Sequence, residues 1–310
     1  MTDVAQPIAP SLAAIPQFRE TLSQRLRRWV LGSAYALMPS RIALLPRLVL
    51  LSIAHVLAPE AEREKLPEPP IYYSKCGLVG LSDDLSVPAL IANYSRGYFP
   101  VCHLGAMKWW CPEERAVIDP AATHLSRKVR RLLRQQKFTV TFDRDFAGVM
   151  EACARPRPGK TPLTWITPKI MDAFFAAHEA GYAHSVEVWD KTGKLVGGLF
   201  GLSIGKVWFG ESQFCTASHA SKIAMATLHQ KLASWDMHVR DGKWMTPHLA
   251  SFGFQAMPRP VFQALLRLYV NQPGHIGNWG ADPRLDRAEW RQGVTAPRVE
   301  AGLPPARACA

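Results

Sequence analysis

Three apolar runs packed into residues 184–212 constrain the fold most. HSVEVWD (184–190) is followed by the polar turn DKTGK, then by LVGGLFGLSI (195–204) and KVWFGES (206–212). Such runs, rich in β-branched and aromatic residues and joined by short polar breaks, predict an antiparallel meander. FTVTF (138–142) predicts another strand, and residues 145–155, 168–180 and 219–235 carry helical spacing. Strands and helices interspersed in this way place the chain in the α+β class.

The chain has 310 residues, with 37 Lys+Arg against 25 Asp+Glu, a net charge of +12. So basic a surface favours an anionic partner, either nucleic acid or an anionic membrane. The six cysteines, Cys76, Cys102, Cys111, Cys153, Cys215 and Cys309, contain no C-x-x-C pair, as expected of reduced cytosolic thiols rather than a zinc ribbon. The start MTDVAQPIAP lacks the pattern of a secretory signal, and the apolar stretch from Ala43 to Ala58 is interrupted by Pro46 and Arg47. It is too short for a spanning helix. The expected location is cytoplasmic, with peripheral contact at the inner membrane surface left open.

Four segments follow from composition. Residues 1–68 read as a basic amphipathic helical extension and linker: Leu22, Leu26, Trp29, Val30 and Leu37 keep helical spacing amid Arg19, Arg25, Arg27, Arg28, Arg41 and Arg47. Such a helix can lie on a membrane or on RNA, or pack on the main domain with its arginines solvated. Residues 69–117 read as a small turn-rich domain and 118–272 as the main domain. Residues 273–310, rich in Pro, Arg and Ala, read as an extended or partly disordered tail.

Several common chemistries are absent. There is no P-loop, no G-x-S-x-G elbow and no H-E-x-x-H; GGLFG (197–201) sits among strands rather than opening a helix. The densest positive feature is SRKVRRLLRQQK (126–137). Read as a helix, it puts Arg127, Arg130, Arg131 and Arg134 on one face, with Val129, Leu132 and Leu133 inward. Guanidinium groups in a stripe without acids suit a run of phosphates. A second feature is aromatic density: Trp109, Trp110, Trp165, Trp189, Trp208, Phe209 and Phe214. Most single aromatics fill core. Glu211, however, follows Gly210 inside KVWFGESQF, and a carboxylate there must be paired or await a cationic ligand.

GLVGLSDDL (77–85), NYSRGYFP (93–100), WWCPEERAVI (109–118), SRKVRR (126–131), TWIT (164–167), AHSVEVW (183–189), LVGGLFG (195–201), FGESQF (209–214), ASK (220–222) and HLASFG (248–253) stand in the order and spacing of one family. Across residues 77–265 the chain resembles the leucyl/phenylalanyl-tRNA–protein transferases. The resemblance implies a small N-terminal domain joined to a GNAT-like acyltransferase domain. It implies transfer of Leu or Phe from charged tRNA to proteins that begin with Arg or Lys, marking them as N-degron substrates. No cofactor and no metal is implied; aminoacyl-tRNA is the co-substrate. Trp165, Leu199, Gly210, Glu211, Phe214 and Leu228 would surround the aminoacyl-adenosine end, with Trp208, Phe209, Ser212, Gln213 and Val101 beside them. The arginine stripe would hold the acceptor stem. Asp241, Lys243 and Glu211 would form the catalytic group.

The sequence departs from the family pattern in the pocket. Val101 stands where the family has a tryptophan that stacks on the terminal adenine. Asp241-Gly242-Lys243 replaces D-C-Q, so an amide becomes an ammonium. Gln213 and Cys215 alter G-E-S-M-F-S, and Leu228 replaces a phenylalanine. A Lys243 ammonium that reaches Glu211 would satisfy that charge internally. Transfer to a protein or peptide α-amine is the first expectation. Transfer to a lipid or small-molecule amine at a membrane surface, or retirement to a tRNA- or degron-binding protein, are the alternatives.

Overall fold

The strands of the meander form where the apolar runs predict them, and they set the frame for everything else. In the computed structural model, which describes residues 18–68, 70–72, 75–156 and 162–281, the elements run as follows. An N-terminal group holds α1 (Leu22–Ala36), α2 (Pro39–Ile42), α3 (Leu45–Leu57) and α4 (Glu60–Arg63). A small unit follows with β1 (Leu78–Leu81), α5 (Val87–Ser95), β2 (Phe99–Pro100) and β3 (Lys108–Trp110). The larger unit holds β4 (Glu114–Ile118), α6 (Arg127–Arg134), β5 (Thr139–Phe142), α7 (Phe146–Ala154) and α8 (Pro168–Glu179). It continues through β6 (Ala183–Trp189), β7 (Leu195–Ile204), β8 (Val207–Cys215), α9 (Ala220–Ser234) and β9 (Val239–Asp241). It ends in α10 (Pro247–Ala250), β10 (Gln255–Pro258) and α11 (Arg259–Tyr269).

Seven strands make one sheet in the order β10-β4-β9-β8-β7-β6-β5, and three make a second in the order β1-β3-β2. All pairings in the large sheet are antiparallel except β8 with β9, which run parallel. The class is therefore α+β with a mixed, mostly antiparallel sheet. Strand β4 belongs to this sheet, between β10 and β9, so a domain boundary at 117/118 cuts through it. Its register is fixed by two strands more than a hundred residues away, which local sequence does not reveal.

Side chains alternate between two cores. On one face Phe200, Leu202 and Phe209 pack with Phe146 and Val149 of α7, Phe174 of α8, and Tyr94, Phe99 and Trp109 of the small unit. On the other, Leu199 and Trp208 pack with Leu228 and Leu232 of α9, Val129 of α6 and Phe254. Each such buried side chain contributes about 1.5–3 kcal/mol. The glycines of LVGGLFG serve this packing. A Cβ at Gly197 would sit 2.5 Å from that of Ala220, and one at Gly201 would sit 2.7 Å from the Trp208 ring, so α9 and Trp208 approach the strand only over bare backbone.

Of the two terminal segments, the C-terminal one differs from expectation. Residues 273–281 are packed rather than extended into solvent: Trp279 is buried, stacks on His184 with ring centroids 3.8 Å apart, and donates its backbone N–H to Asp143 at 2.8 Å. Residues 282–310, the rest of the expected tail, lie outside the described residues, as do residues 1–17. In the extension, Thr21 caps α1 through a reciprocal bond pattern with Gln24. Arg28 donates to the carbonyl of His103 at 2.9 Å, and Gly32 is buried beside Leu104. That seats one face of α1. The opposite face leaves Leu22, Leu26, Trp29 and Val30 exposed, and α3 exposes Val49, Leu50, Ile53, Val56 and Leu57. No described helix is long and apolar enough to cross a membrane.

Candidate active site and nucleic-acid face

The site lies where β8 and β9 part. Their parallel pairing covers only Val207–Val239, Trp208–Arg240 and Phe209–Asp241. Beyond it, β8 continues beside β7 alone, through a bulge: Gly201 pairs with Gly210 and Phe200 with Ser212, leaving Glu211 as the extra residue. A bulge breaks the strict alternation of side chains. Glu211 therefore meets Tyr94 of the small unit, and its neighbour Ser212 lines a cavity on the same side of the sheet.

Two buried ion pairs stand at this mouth. Asp241 takes a forked pair of bonds from Arg115, Nε to Oδ1 at 2.7 Å and Nη2 to Oδ2 at 2.8 Å, and both side chains are wholly buried. The third arm of Arg115 reaches the carbonyl of Gly97 at 2.8 Å, and its guanidinium lies 4.6 Å from the Phe99 ring and 4.7 Å from the Phe262 ring. Burial works against the charge of Arg115, but Asp241 outweighs it, so its pKa is raised. Asp241 Oδ1 also accepts the backbone N–H of Lys243 at 2.8 Å, which holds that residue in the left-handed region at φ 65°.

The second pair joins the Lys243 ammonium to Glu211 Oε2, while Tyr94 Oη donates to Oε1 at 2.8 Å. The ammonium stands 4.7 Å from the centroid of Phe99, 5.4 Å from that of Trp165 and 5.7 Å from that of Tyr94. Burial depresses the Lys243 pKa, opposed by Glu211, and raises that of Glu211, opposed by Lys243. Burial and the Glu211 charge push Tyr94 well above its ordinary value, so it stays a donor. A cavity of about 320 Å³ is walled by Trp165, Ser212, Thr164, Leu163 and the end of α7 at Cys153 and Ala154, and neither Glu211 nor Lys243 lines it. Trp165 is common to the cavity and the surroundings of the pair. Between the two pairs Arg240 faces the other side of the sheet over Phe254, and burial lowers its pKa to about 9.

Helix α6 is the second feature. Ser126 caps it, Val129 is buried, and Leu132 and Leu133 pack toward the α9 core. Arg127, Arg130, Arg131 and Arg134 are all exposed. None of the four makes an ion pair among the described residues. Lys128 and Lys137 join Lys222 of α9 around His219, whose pKa burial lowers first and these three charges lower further. The basic surface thus spans both helices.

Residues 117–267 match the family described as leucyl/phenylalanyl-tRNA protein transferase, and residues 83–113 match its N-terminal domain. The leucyl/phenylalanyl-tRNA–protein transferase of Pseudomonas fluorescens (strain SBW25) is 45% identical over 222 residues, 70% of this chain and 97% of that one. That of Azotobacter vinelandii is 43% identical over 216 residues, 68% of this chain and 95% of the other. The chain belongs to the leucyl/phenylalanyl-tRNA–protein transferase family. These are aminoacyltransferases. Among solved structures, L-PGS from Bacillus licheniformis is 11% identical, with 56% of this chain and 67% of that one covered and a TM-score of 0.33, too slight a likeness to bear on fold or function.

Within this aminoacyltransferase the residues singled out from the sequence fall into three places. Glu211, Asp241, Lys243, Trp165, Gly210 and Ser212 gather where β8 and β9 part. Phe214 and Val101 are half-buried against the core shared with the small unit, and Gln213 is half-buried on β8. Phe209 is buried in that core, while Leu199, Trp208 and Leu228 are buried under α9 on the opposite face; none of these four lines the cavity. Arg115 and Tyr94 were missed. Both lie inside the quoted motifs, and the usable signal is Arg115 directly before the apolar run Ala116–Ile118, where a buried charge needs a partner.

Proposed function

We propose that this aminoacyltransferase moves a large apolar aminoacyl group, Leu- or Phe-like, from aminoacyl-tRNA to the α-amine of a protein or peptide, with the cavity beside Trp165 taking the acyl side chain. The observation that carries the reading is Trp165, which walls that cavity and stands 5.4 Å from the ammonium of the buried Lys243–Glu211 pair. An aminoacyl ester is already activated. The amine nitrogen bonds to the carbonyl carbon, the carbon–ribose oxygen bond breaks, and the amine's proton leaves with the ribose oxygen. What the site supplies is position, within about 3 Å, and polar groups for the developing charge. Asp241 is a positioning residue: clamped by Arg115, it fixes the turn that carries Lys243. The parting of β8 from β9 supports reading the larger unit as a GNAT-like acyltransferase domain. The α6 face is the surface for the acceptor stem. Incubation with a mixture of charged tRNAs and a model peptide tests the assignment. Leucyl and phenylalanyl transfer is expected, with related apolar groups competing because a methylene discriminates by only about 1–3 kcal/mol. Preference for acidic or amide aminoacyl groups would overturn the pocket assignment.

The extension supports a second element, docking on an anionic bilayer. Helix α3 carries apolar residues on all sides, and such a helix is normally covered. Its outward stripe of Val49, Leu50, Ile53, Val56 and Leu57 is exposed, as is that of α1, and by helical spacing the exposed Arg25, Arg27 and Arg47 flank the stripes. Apolar stripes edged by arginine match the boundary between acyl chains and anionic headgroups. Flotation with vesicles containing phosphatidylglycerol is expected, and should be lost in Leu50→Glu/Ile53→Glu. Concentration-dependent self-association without flotation would show instead that a second copy covers the stripes.

A further inference from the structure

We infer that Lys243 fills, from within the chain, the subsite that would otherwise receive a cationic side chain, so that the acceptor taken here presents a neutral or anionic first residue. The inference rests on the aminoacyl-transfer reading above and specifies its acceptor. The surroundings of the ammonium have the chemistry of a cation receptor. One carboxylate, Glu211, is fully buried, and the rings of Phe99, Trp165 and Tyr94 stand 4.7, 5.4 and 5.7 Å from the charge. A carboxylate with aromatic walls is what a guanidinium or ammonium ligand would require. Here the ligand is covalently attached. Lys243 retains only 6% of its side-chain exposure, and Glu211 is its one carboxylate partner.

The arrangement is held in place rather than incidental. The backbone of Lys243 adopts φ 65°, a region that disfavours residues other than glycine, asparagine and aspartate. Asp241 maintains it by accepting the Lys243 N–H, and Arg115 clamps Asp241. Both oxygens of Glu211 are engaged, Oε1 by Tyr94 and Oε2 by Lys243. A cationic residue entering past Trp165 would find each Glu211 oxygen already engaged and would face the Lys243 ammonium. A neutral side chain meets no such repulsion, and an anionic one would face an ammonium.

The test uses full-length protein, charged leucyl-tRNA and peptides identical except for a first residue of Arg, Ala or Glu. The wild type should show kcat/KM for the Arg-starting peptide lower by about tenfold or more than for the Ala-starting one. Lys243→Gln, whose amide can still donate to Glu211, should raise the ratio of Arg-starting to Ala-starting kcat/KM by about tenfold or more, whatever it does to the absolute rates. Lys243→Met is a second, similarly sized neutral variant should the first fold poorly. A readout independent of turnover is calorimetric titration with L-argininamide, which should bind Lys243→Gln and not the wild type. Wild-type preference for Arg-starting peptides, unchanged in both variants, overturns the inference. Failure to aminoacylate any peptide overturns the transfer reading instead, and the argininamide titration then decides by itself: binding only to the variants supports a subsite filled by Lys243, and equal behaviour overturns it.

Discussion

Arg115–Asp241 and Lys243–Glu211 are both buried acid–base pairs, two residues apart along the chain at their 241 and 243 ends, yet they are built for different ends. Arg115 meets Asp241 through two parallel bonds and spends a third on Gly97, so it ties β4, β9 and the small unit together. A guanidinium suits that use, since its planar fork fixes direction as well as charge. Lys243 offers a point charge in a ring of aromatic faces, with one carboxylate partner and a cavity beyond Trp165. The first pair closes a joint between units. The second stands beside Trp165, which also walls a cavity. The difference teaches that burial alone does not separate architecture from chemistry; hydrogen-bond valence and the neighbouring space do.

The sharpest way to break the comparison is to remove one cation from each pair. Arg115→Met strands Asp241 without its fork, and unfolding in urea should show a loss of about 3–5 kcal/mol. Lys243→Met should cost less, about 1–3 kcal/mol, because burial already inclines Glu211 toward the neutral acid, which still bonds to Tyr94. The pH dependence distinguishes the two further. In Lys243→Met the Glu211 pKa lies above its unfolded value, so the variant's deficit should shrink as pH falls through the carboxylate range. A deficit that stays constant from neutral pH to about pH 4 would show that the second pair is as architectural as the first. The smallest stability effect belongs to a third set of cations, which have no carboxylate partner among the described residues. Replacing Arg127, Arg131 and Arg134 by Ala should move fold stability by only about 0.5 kcal/mol or less. The same substitutions should lower the slope of log tRNA affinity against log salt by roughly one unit per lost phosphate contact. An unchanged slope would remove α6 from the tRNA surface.

The legible parts of the fold were those set by local periodicity. The strands β5 to β8 and the helices α6 to α9 fall within a residue or two of the runs that predict them, except that β8 runs three residues past KVWFGES to Cys215 and α6 ends at Arg134, three residues short of Lys137. Strand β4 was not legible as part of the large sheet, because ERAVI owes its place to β9 and β10. Trp279 was hidden for a related reason: one aromatic anchor in a Pro- and Arg-rich stretch makes no period, although its stack on His184 seats the segment. In the site, the carboxylate of Glu211 is visible as a charge among aromatic residues, and the ammonium of Lys243 only as a departure from the family's D-C-Q. Their meeting depends on the left-handed backbone at 243, and nothing in the local pattern encodes it. Apolar candidates carried less information, since Leu199, Trp208 and Leu228 fit a pocket wall and a packed core equally well by composition, and here they pack under α9.

The bulge in β8 carries an implication for how such a site arises and is lost. In a regular ladder adjacent residues face opposite ways, so Glu211 and Ser212 share a face only because β8 has one residue more than β7 at that point. In genetic terms the candidate site hangs on a single codon. An in-frame deletion of one triplet there would restore an ordinary hairpin, keep both flanking cores, and turn either the carboxylate or the cavity wall away from the other. Among gene copies freed from selection for transfer, this small lesion would silence the chemistry while the encoded protein continued to fold.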